Sequence, residues 1–423
     1  LRLFHIRNIS PSGWIKLPIS KSLNHKSEKK TTSCDEEYTI HYKHIKACEN
    51  KETRVPYKIA SFDIEASSSH GDFPLAVKNY KKLAMNIVEI WEQNDNYIDS
   101  EKVQNIILTA FSVKGYNEKD VDLVYPQKKI KPDDLIECIE RWIKIKARSC
   151  KEGLDEIEED KISDDEQECD EGATEQGAEE TGKTWQYKKK IKVYKKDGSI
   201  LNLLNDNVAE RETKVAVLTK TLSEVFPKLK GDEVTFIGTT FLRYGDKEPY
   251  LNHCIVKNTC SDIPQIKNSK IESCKTERQV LLAWTKLIQQ EDPDIVIGYN
   301  IFGFDYQFMY QRADEKNCVN EFLKLSRNKG ETCINKNWKT QKEGLEENTI
   351  FIASGQHDLK FVNMKGRLQI DLYNYLRRDY QLIKYKLDYV AGYFIGDSVK
   401  KIEHENGKTK IYSKNLTGLE NNC

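Results

Sequence analysis

The sequence predicts an α/β fold in which helices flank a mixed sheet, and three observations support this class. Residues 57–65 are an apolar, β-prone run, and a helical pattern over 76–93 follows it. Residues 234–242 and 250–256 are rich in strand-forming side chains and are close enough to pair as antiparallel strands. Residues 294–298 form a short apolar run typical of a strand buried inside a sheet.

Composition excludes several classes of protein. The 423 residues are enough for two or three domains. The 67 basic and 67 acidic residues balance, so net charge argues neither for nor against nucleic acid as a partner. The 11 cysteines form no CxxC pair, which predicts neither a zinc site nor a disulfide framework and fits a reducing compartment. No apolar run approaches the roughly 18 residues of a membrane span.

Residues 1–56 are predicted to form a small β-rich N-terminal domain. Residues 1–7 largely alternate apolar and polar side chains, as a half-buried strand does. Residues 14–17 and 38–42 are further short strand candidates in this region.

Residues 57–104 are predicted to begin an α/β domain that residues 105–230 then interrupt. Inside this insertion, 133–147 is a candidate helix. Residues 154–181 are crowded with Asp and Glu and nearly lack large apolar side chains, which predicts a disordered segment. The basic run at 188–196 has two interpretations, a contact with nucleic acid or a solvated hairpin that offsets the acidic run.

Residues 231–423 are predicted to continue the α/β domain. Amphipathic patterns predict helices over 276–290 and 304–313. Residues 366–371 are predicted to form a further strand, whereas 316–359 are polar and are expected to be rich in loops.

The first candidate site lies at the end of the run 57–65, which carries Asp63 and Glu65. Residues two apart on a strand point to the same face, so two like charges would lie side by side. This arrangement costs free energy unless a cation lies between them, and Mg²⁺ or Mn²⁺ prefers carboxylate oxygens. A solvent-facing edge strand with a polar face is an equally compatible interpretation of these two residues.

A third carboxylate, Asp305, is predicted in the first turn of the helix that follows the strand 294–298. Active-site residues gather at this position in open α/β sheets. If both strands share a sheet, Asp305 can meet Asp63 and Glu65 in one cleft. Three carboxylates there would suit two divalent ions that promote phosphodiester hydrolysis.

Several motifs resemble the exonuclease region of B-family DNA polymerases. Residues 61–65 (Ser-Phe-Asp-Ile-Glu) resemble the family's first exonuclease motif, and 298–305 resemble the second, with its Asn-x3-Phe-Asp pattern. Residues 366–371 resemble the segment before the third motif. Residues 9–14 and 68–74 look most like the delta-type polymerases of large nucleocytoplasmic DNA viruses.

This resemblance implies an RNase H-like fold and a 3′→5′ exonuclease that uses two Mg²⁺ or Mn²⁺ ions. In the family's pattern, Asp63 would bridge both ions. Glu65 would bind one ion and orient the attacking water, and Asp305 would hold the second ion.

The resemblance also implies the substrate and partners. Phe62, Asn300 and Phe304 would bind the single-stranded 3′ end of DNA. Replication accessory proteins are further implied partners, and no membrane is involved. The implied location is inside the host cell, in the nucleus or in a cytoplasmic virus factory.

The chain departs from the family's pattern at the third motif, Tyr-x3-Asp, which would supply a further metal ligand. Tyr375 and Asp379 have that spacing, but they precede the helix that the motif should follow, so we interpret the match as chance. The Asp-Thr-Asp motif of nucleotidyl transfer is also missing. We therefore expect the N-terminal portion of a replicative DNA polymerase, truncated before the third exonuclease motif and weak as a nuclease by itself.

Two other functions are compatible with these residues. One is a stand-alone exonuclease that uses Tyr375 and Asp379 as its third motif. The other is a non-catalytic interaction module whose acidic segment, residues 154–181, binds a partner.

Overall fold

The structure is a computed structural model, and it describes most of the chain. The predicted acidic segment at 154–181 and the basic run at 188–196 lie outside the described residues. The described residues are 2–10, 13–51, 53, 55–68, 71–147, 198–262, 264, 266–336, 341, 343–352, 355–396, 399–405 and 407–413.

Helices and strands alternate over much of the described chain. The helices are α1 (Arg2–Arg7), α2 (Lys81–Gln93), α3 (Ser100–Ala110), α4 (Pro132–Ile143), α5 (Ile200–Leu204), α6 (Arg211–Val225), α7 (Glu277–Glu291), α8 (Asp305–Glu315), α9 (Val319–Phe322), α10 (Leu372–Asp379) and α11 (Leu387–Phe394). The strands are β1 (Ile15–Lys16), β2 (Ser22–Asn24), β3 (Tyr38–Ile40), β4 (Lys46–Ala47), β5 (Lys58–Ser67), β6 (Glu233–Arg243), β7 (Leu251–Lys257), β8 (Ser269–Cys274), β9 (Ile295–Gly298), β10 (Asn335–Lys336), β11 (Glu343–Gly344), β12 (Glu346–Ile352), β13 (Gly355–Phe361), β14 (Leu368–Asp371), β15 (Val399–Glu405) and β16 (Lys408–Ser413).

The chain divides into two compact units. The sheet unit comprises Leu1–Gly71 and Glu233–Cys423, and the helical unit comprises Asp72–Asp232. Residues 72–104, which we predicted to belong to the α/β domain, thus lie in the helical unit. The apolar faces of α2 and α3 explain this difference, because α2 packs against α6 and α3 packs against α4.

A six-stranded mixed sheet forms the centre of the sheet unit, which confirms the predicted fold class. Its strand order is β14-β9-β5-β6-β7-β8. Strands β14, β9 and β5 run parallel, whereas β6 is antiparallel to β5 and to β7. The carboxyl ends of β5, β9 and β14 therefore meet at one edge of the sheet, where ligand sites of open α/β sheets form.

The alternation of side chains along β5 determines which face is buried. Ala60, Phe62 and Ile64 are buried. The Phe62 ring packs between Trp284 of α7 and Tyr306 of α8, with ring centroids 4.9 and 5.5 Å away. Since strand side chains alternate between faces, the residues between these three project to the opposite face of the sheet.

A buried ion pair joins the two helices on the apolar face to the sheet. Arg312 of α8 donates from Nε and Nη2 to both carboxylate oxygens of Glu277 on α7, at 2.8 and 2.9 Å. The backbone amide of Val234 in β6 donates to the same carboxylate at 2.9 Å. Both side chains of the pair are almost completely buried. Glu315, 2.6 Å from Arg312, and Lys316, 3.3 Å from Glu277, add further compensating charge.

The helical unit has a hydrophobic core of its own. Trp142 of α4 is fully buried, and its indole nitrogen donates to the Thr221 hydroxyl of α6 at 2.9 Å. The candidate helix at 133–147 is confirmed as α4, although it ends at Ile143. No helix in the described part of the chain combines the length and apolar composition needed to cross a membrane.

Two local predictions differ from the structure. Residues 1–7 form helix α1 rather than a strand, because the short apolar pattern suits both periods and Arg7 anchors the helix by donating to the carbonyl of Ile45. The region 316–359, which we expected to be rich in loops because its side chains are polar, contains α9 and the hairpin strand β12. Strand candidates at 14–17 and 38–42 are confirmed by β1 and β3.

We predict that Arg312→Met destabilises the chain by about 3 to 5 kcal/mol, because it removes the bidentate partner of the buried Glu277 carboxylate and leaves Lys316 as its neighbouring cation. Urea unfolding followed by circular dichroism measures this loss. The matched control is Arg278→Met, since Arg278 pairs with Glu321 on the surface and should contribute no more than about 1 kcal/mol. Equal losses in both variants would contradict the prediction.

Candidate active site

Strand β5 presents Asp63 and Glu65 on the face of the sheet opposite Phe62. Both carboxylates are exposed, in contrast to their buried neighbours. The Asp63 side chain accepts a hydrogen bond from the backbone amide of Ile64 at 3.0 Å. On the adjacent strand, Gly238 pairs with Asp63. The predicted placement of two like charges on one strand face is therefore what the structure shows.

A tight loop connects β9 to α8 and sets the position of Asp305. Gly298 ends β9, and a Cβ atom there would collide with Ile301 and lie 2.9 Å from the carbonyl oxygen of Phe62. Asn300 has a left-handed backbone, with φ of 60°. Its carbonyl accepts hydrogen bonds from the amides of Gly303 and Phe304 at 3.0 and 2.9 Å. The loop thus reverses the chain and places Asp305 as the first residue of α8.

Asp305 has the most strongly raised pKa among the carboxylates of this site. Its side chain is 2% exposed, and its Oδ1 atom has no hydrogen-bond partner. Burial and the nearby charge of Asp63 raise the pKa of Asp305 to about 8, although the backbone amide of Ile64 donates to it. An ionised carboxylate with a buried oxygen that accepts no hydrogen bond is unfavourable beside a second carboxylate, so the pair favours either a proton on Asp305 or a cation between the two.

The donor set fits a hard divalent cation in part. Asp63 and Asp305 supply the carboxylate oxygens that Mg²⁺ and Mn²⁺ prefer, and the free Oδ1 of Asp305 is available as a ligand. Within the described ranges, no group of three or more His, Cys, Asp or Glu side chains is arranged to hold a metal ion. The predicted meeting of three carboxylates is therefore not formed. Glu65 lies two residues along an extended strand, about 6.6 Å from Asp63 between Cα atoms.

Asp371, at the end of β14, is an important residue that the sequence analysis did not identify as part of the site. It is 4% exposed. Its carboxylate accepts hydrogen bonds from the backbone amides of Asn300 and Phe302, at 2.9 and 3.0 Å. It also accepts from the Tyr373 amide and the Asn374 side chain, at 3.0 and 2.9 Å. Asp371 therefore fixes the loop that carries Asn300 and leads to Asp305.

One sequence signal could have identified Asp371. Like Asp305, it stands where a strand of the parallel set passes into a helix, and it caps the N-terminus of α10. Burial raises the pKa of Asp371, while its backbone and side-chain donors lower it. A buried carboxylate that accepts four hydrogen bonds fixes local structure, because losing any of them would leave a polar group without its partner.

The predicted substrate-binding residues occupy different environments. Asn300 is half-buried, and its side-chain oxygen lies over Gly303, where a Cβ atom would collide with it. Phe304 is half-buried and packs on Phe308, with ring centroids 5.3 Å apart. Phe62 is 3% exposed on the apolar face, so the structure does not support the predicted substrate contact of its side chain. The alternation of β5 turns Phe62 away from Asp63.

Tyr375 and Asp379 lie on α10. Both carboxylate oxygens of Asp379 accept hydrogen bonds from Arg378, at 2.7 and 2.9 Å. This ion pair lowers the pKa of Asp379. Tyr375 is 40% exposed. An exposed aspartate bound by its own neighbour agrees with our interpretation of this spacing as chance.

Comparisons with known proteins agree on one family. The family model described as DNA polymerase family B, exonuclease domain, matches residues 1–148 and 189–390. A DNA polymerase of Phaeocystis pouchetii virus is 45% identical over 438 residues, which cover 100% of this chain and 41% of the relative. A DNA polymerase of Pyramimonas orientalis virus is 30% identical over 429 residues, which cover 99% of this chain and 31% of the relative.

A more distant relative is the DNA polymerase delta catalytic subunit of Candida albicans. It is 30% identical over 182 residues, which cover 43% of this chain and 16% of the relative. The chain thus spans less than half the length of each of these three relatives.

We predict that metal-free stability falls as pH rises from about 4 to about 8, because folded Asp305 keeps its proton in that range while the unfolded chain has lost it. The slope from this one group is at most about 1.4 kcal/mol per pH unit. Asp305→Asn removes this titrating group, so the stability of the variant should increase relative to that of the wild type as pH rises. Urea midpoints at pH 5 and pH 8 in EDTA measure this gain, with Asp314→Asn on the exposed side of α8 as control. A wild-type-to-variant difference that is constant with pH would count against it.

We also predict that Asp371→Asn destabilises the sheet unit by about 1 to 3 kcal/mol, because an amide NH₂ would face backbone donors that now bond to a carboxylate oxygen. The control is Asp388→Asn, an exposed aspartate that accepts one local bond from the Tyr389 amide. This control should change stability by less than about 0.5 kcal/mol. Chemical denaturation decides the comparison, and an unaffected Asp371 variant would remove the positioning role.

Proposed function

The chain belongs to family B of the DNA polymerases, and from that premise we propose that its sheet unit acts as a 3′→5′ exonuclease on single-stranded DNA ends. One observation carries the proposal. Asp305 is buried beside Asp63 and leaves its Oδ1 without a partner, at the sheet edge where ligands bind. Such a carboxylate pair favours the binding of divalent cations. Those cations would offset the repulsion between the two carboxylates and the negatively charged phosphodiester of the substrate.

Asp63 and Asp305 are the residues that would hold Mg²⁺ or Mn²⁺, with two ions as in the family's pattern. When bound, such ions supply the charge that activates a water and stabilises the leaving oxygen. Asp305 would hold a cation in its ionised form, because a neighbouring positive charge opposes the effects that raise its pKa. Glu65 is exposed on the same strand face, and its proposed role is to orient the attacking water.

The protein's own residues also shape the substrate site. The loop that Asp371 fixes carries Asn300 and ends at Phe304, directly before Asp305, and we propose that these two side chains contact the substrate. A half-buried ring and an amide offer stacking and hydrogen bonding without a sequence requirement, which suits removal of any 3′-terminal nucleotide. Single-stranded DNA is the proposed partner, and replication accessory proteins inside the host cell are proposed as further partners.

We extend the proposal from the exonuclease to the activity of the whole protein. The relatives matched over nearly the whole chain are named DNA polymerase. DNA-directed DNA synthesis is therefore the proposed activity of the whole protein, with the site described above removing misincorporated 3′ nucleotides.

A calorimetric titration with Mn²⁺ tests the proposal most directly. The wild-type chain should release or absorb heat on binding, and Asp63→Asn and Asp305→Asn should each weaken binding at least about 10-fold, since each removes a ligand charge. Asp379→Asn is the matched control, because Asp379 is exposed and paired with Arg378. Binding heat that does not depend on Asp63 would favour a non-catalytic module, and an effect of Asp379 equal to that of Asp305 would favour the stand-alone exonuclease.

A nuclease assay complements the titration. A 5′-labelled single strand incubated with Mn²⁺ should lose nucleotides singly from its 3′ end, slowly in the wild type and at least about 100-fold more slowly in Asp63→Asn. A ladder that starts from internal cleavage, or degradation in EDTA, would contradict the proposed reaction.

A further inference from the structure

Strand β6 brings an aromatic ring to the face of the sheet that carries the carboxylates. The antiparallel register pairs Asp63 with Gly238 and Glu65 with Phe236. Paired residues of antiparallel strands project to the same face. Phe236 therefore shares the face of Glu65, one strand away, and neighbouring strands lie only about 4.8 Å apart.

Gly238 determines where the Phe236 ring lies. A Cβ atom at Gly238 would be 2.9 Å from Cε1 and 3.3 Å from Cζ of Phe236. The ring therefore folds along β6 and covers Gly238, directly opposite Asp63 in the register. Any larger side chain at position 238 would have to push the ring away from this place. The glycine is required here for space, because its backbone is ordinary strand.

The surroundings of Phe236 differ from those of the other aromatic side chain on β6. Phe241 projects to the apolar face and is completely buried. Phe236 is only half-buried, so part of its ring remains accessible beside the exposed carboxylates. The position therefore offers an apolar ring surface on the same face of the sheet as the two exposed carboxylates of β5.

We propose that the ring of Phe236 is the surface on which the base of the 3′-terminal nucleotide stacks. The proposal rests on the proposed exonuclease function, since it needs the scissile phosphodiester beside Asp63 and Asp305. A nucleotide held there by its phosphate places its base over the adjacent strand, where the ring covers Gly238. Stacking on one ring face accepts every base, which matches an enzyme that removes nucleotides without regard to sequence.

The test measures binding of a single-stranded oligonucleotide in Ca²⁺, with 2-aminopurine either at the 3′ terminus or at the fourth nucleotide from it. Phe236→Leu keeps an apolar side chain but removes the ring, and it should raise Kd by about 5-fold to 100-fold. Quenching of the terminal 2-aminopurine should be lost, while quenching at the internal position is kept. Phe236→Tyr retains the ring and should bind within about 2-fold of the wild type.

Phe241→Leu is the matched control, because it makes the same chemical change on the buried face of the same strand. It should leave oligonucleotide affinity within about 2-fold of the wild type, and thermal unfolding of both leucine variants confirms that the chains are folded. Terminal quenching in Phe236→Leu equal to that of the wild type would overturn the inference.

The outcomes separate this inference from the proposed function. If the wild type binds the oligonucleotide and Asp63→Asn loses its response to metal while Phe236→Leu behaves normally, only the stacking role fails. If the wild type neither binds the single strand nor responds to Mn²⁺, the exonuclease function fails, and the stacking role fails with it.

Discussion

The burial of one carboxylate, Asp305, beside another, Asp63, is the constraint on which the architecture of the site depends. Burial and like charge both oppose ionisation of Asp305, and its Oδ1 finds no donor in the described structure. A protein keeps such an arrangement only where other interactions stabilise the surrounding fold. At this point of the sheet edge, the charged form of Asp305 is thus unfavourable unless a positive charge lies beside it.

Several features keep this point fixed. The buried pair of Arg312 and Glu277 joins α8 to α7 and, through the amide of Val234, to β6. Asp371 holds the loop before α8 by two hydrogen bonds and the start of α10 by two more. Gly298 allows β9 to approach the backbone of β5 closely. These contacts lie in different parts of the sequence, yet they all restrict the same loop or the helix that follows it.

The two faces of β5 have different surroundings: one packs in the hydrophobic core, and the other carries the carboxylates of the candidate site. Phe62 packs between Trp284 and Tyr306 and contributes to the core, whereas Asp63 faces the opposite side with Phe236 beside it. A single strand therefore anchors the sheet and presents the carboxylates of the candidate site. This division explains how a site with repelling charges can persist, since the stabilising contacts and the destabilising ones occupy opposite faces.

Local periodicity in the sequence was enough to predict β5, β6, β7 and β9, the helices α7 and α8, and the common face of Asp63 and Glu65. These features repeat every two or 3.6 residues and need no distant partner. The helix at residues 2–7, the burial of Phe62, the bonds of Asp371 and the position of Phe236 beside Asp63 were decided by tertiary structure. Each depends on pairing or packing between segments far apart in the chain, and strand register, which sets those neighbours, leaves no periodic trace in the sequence.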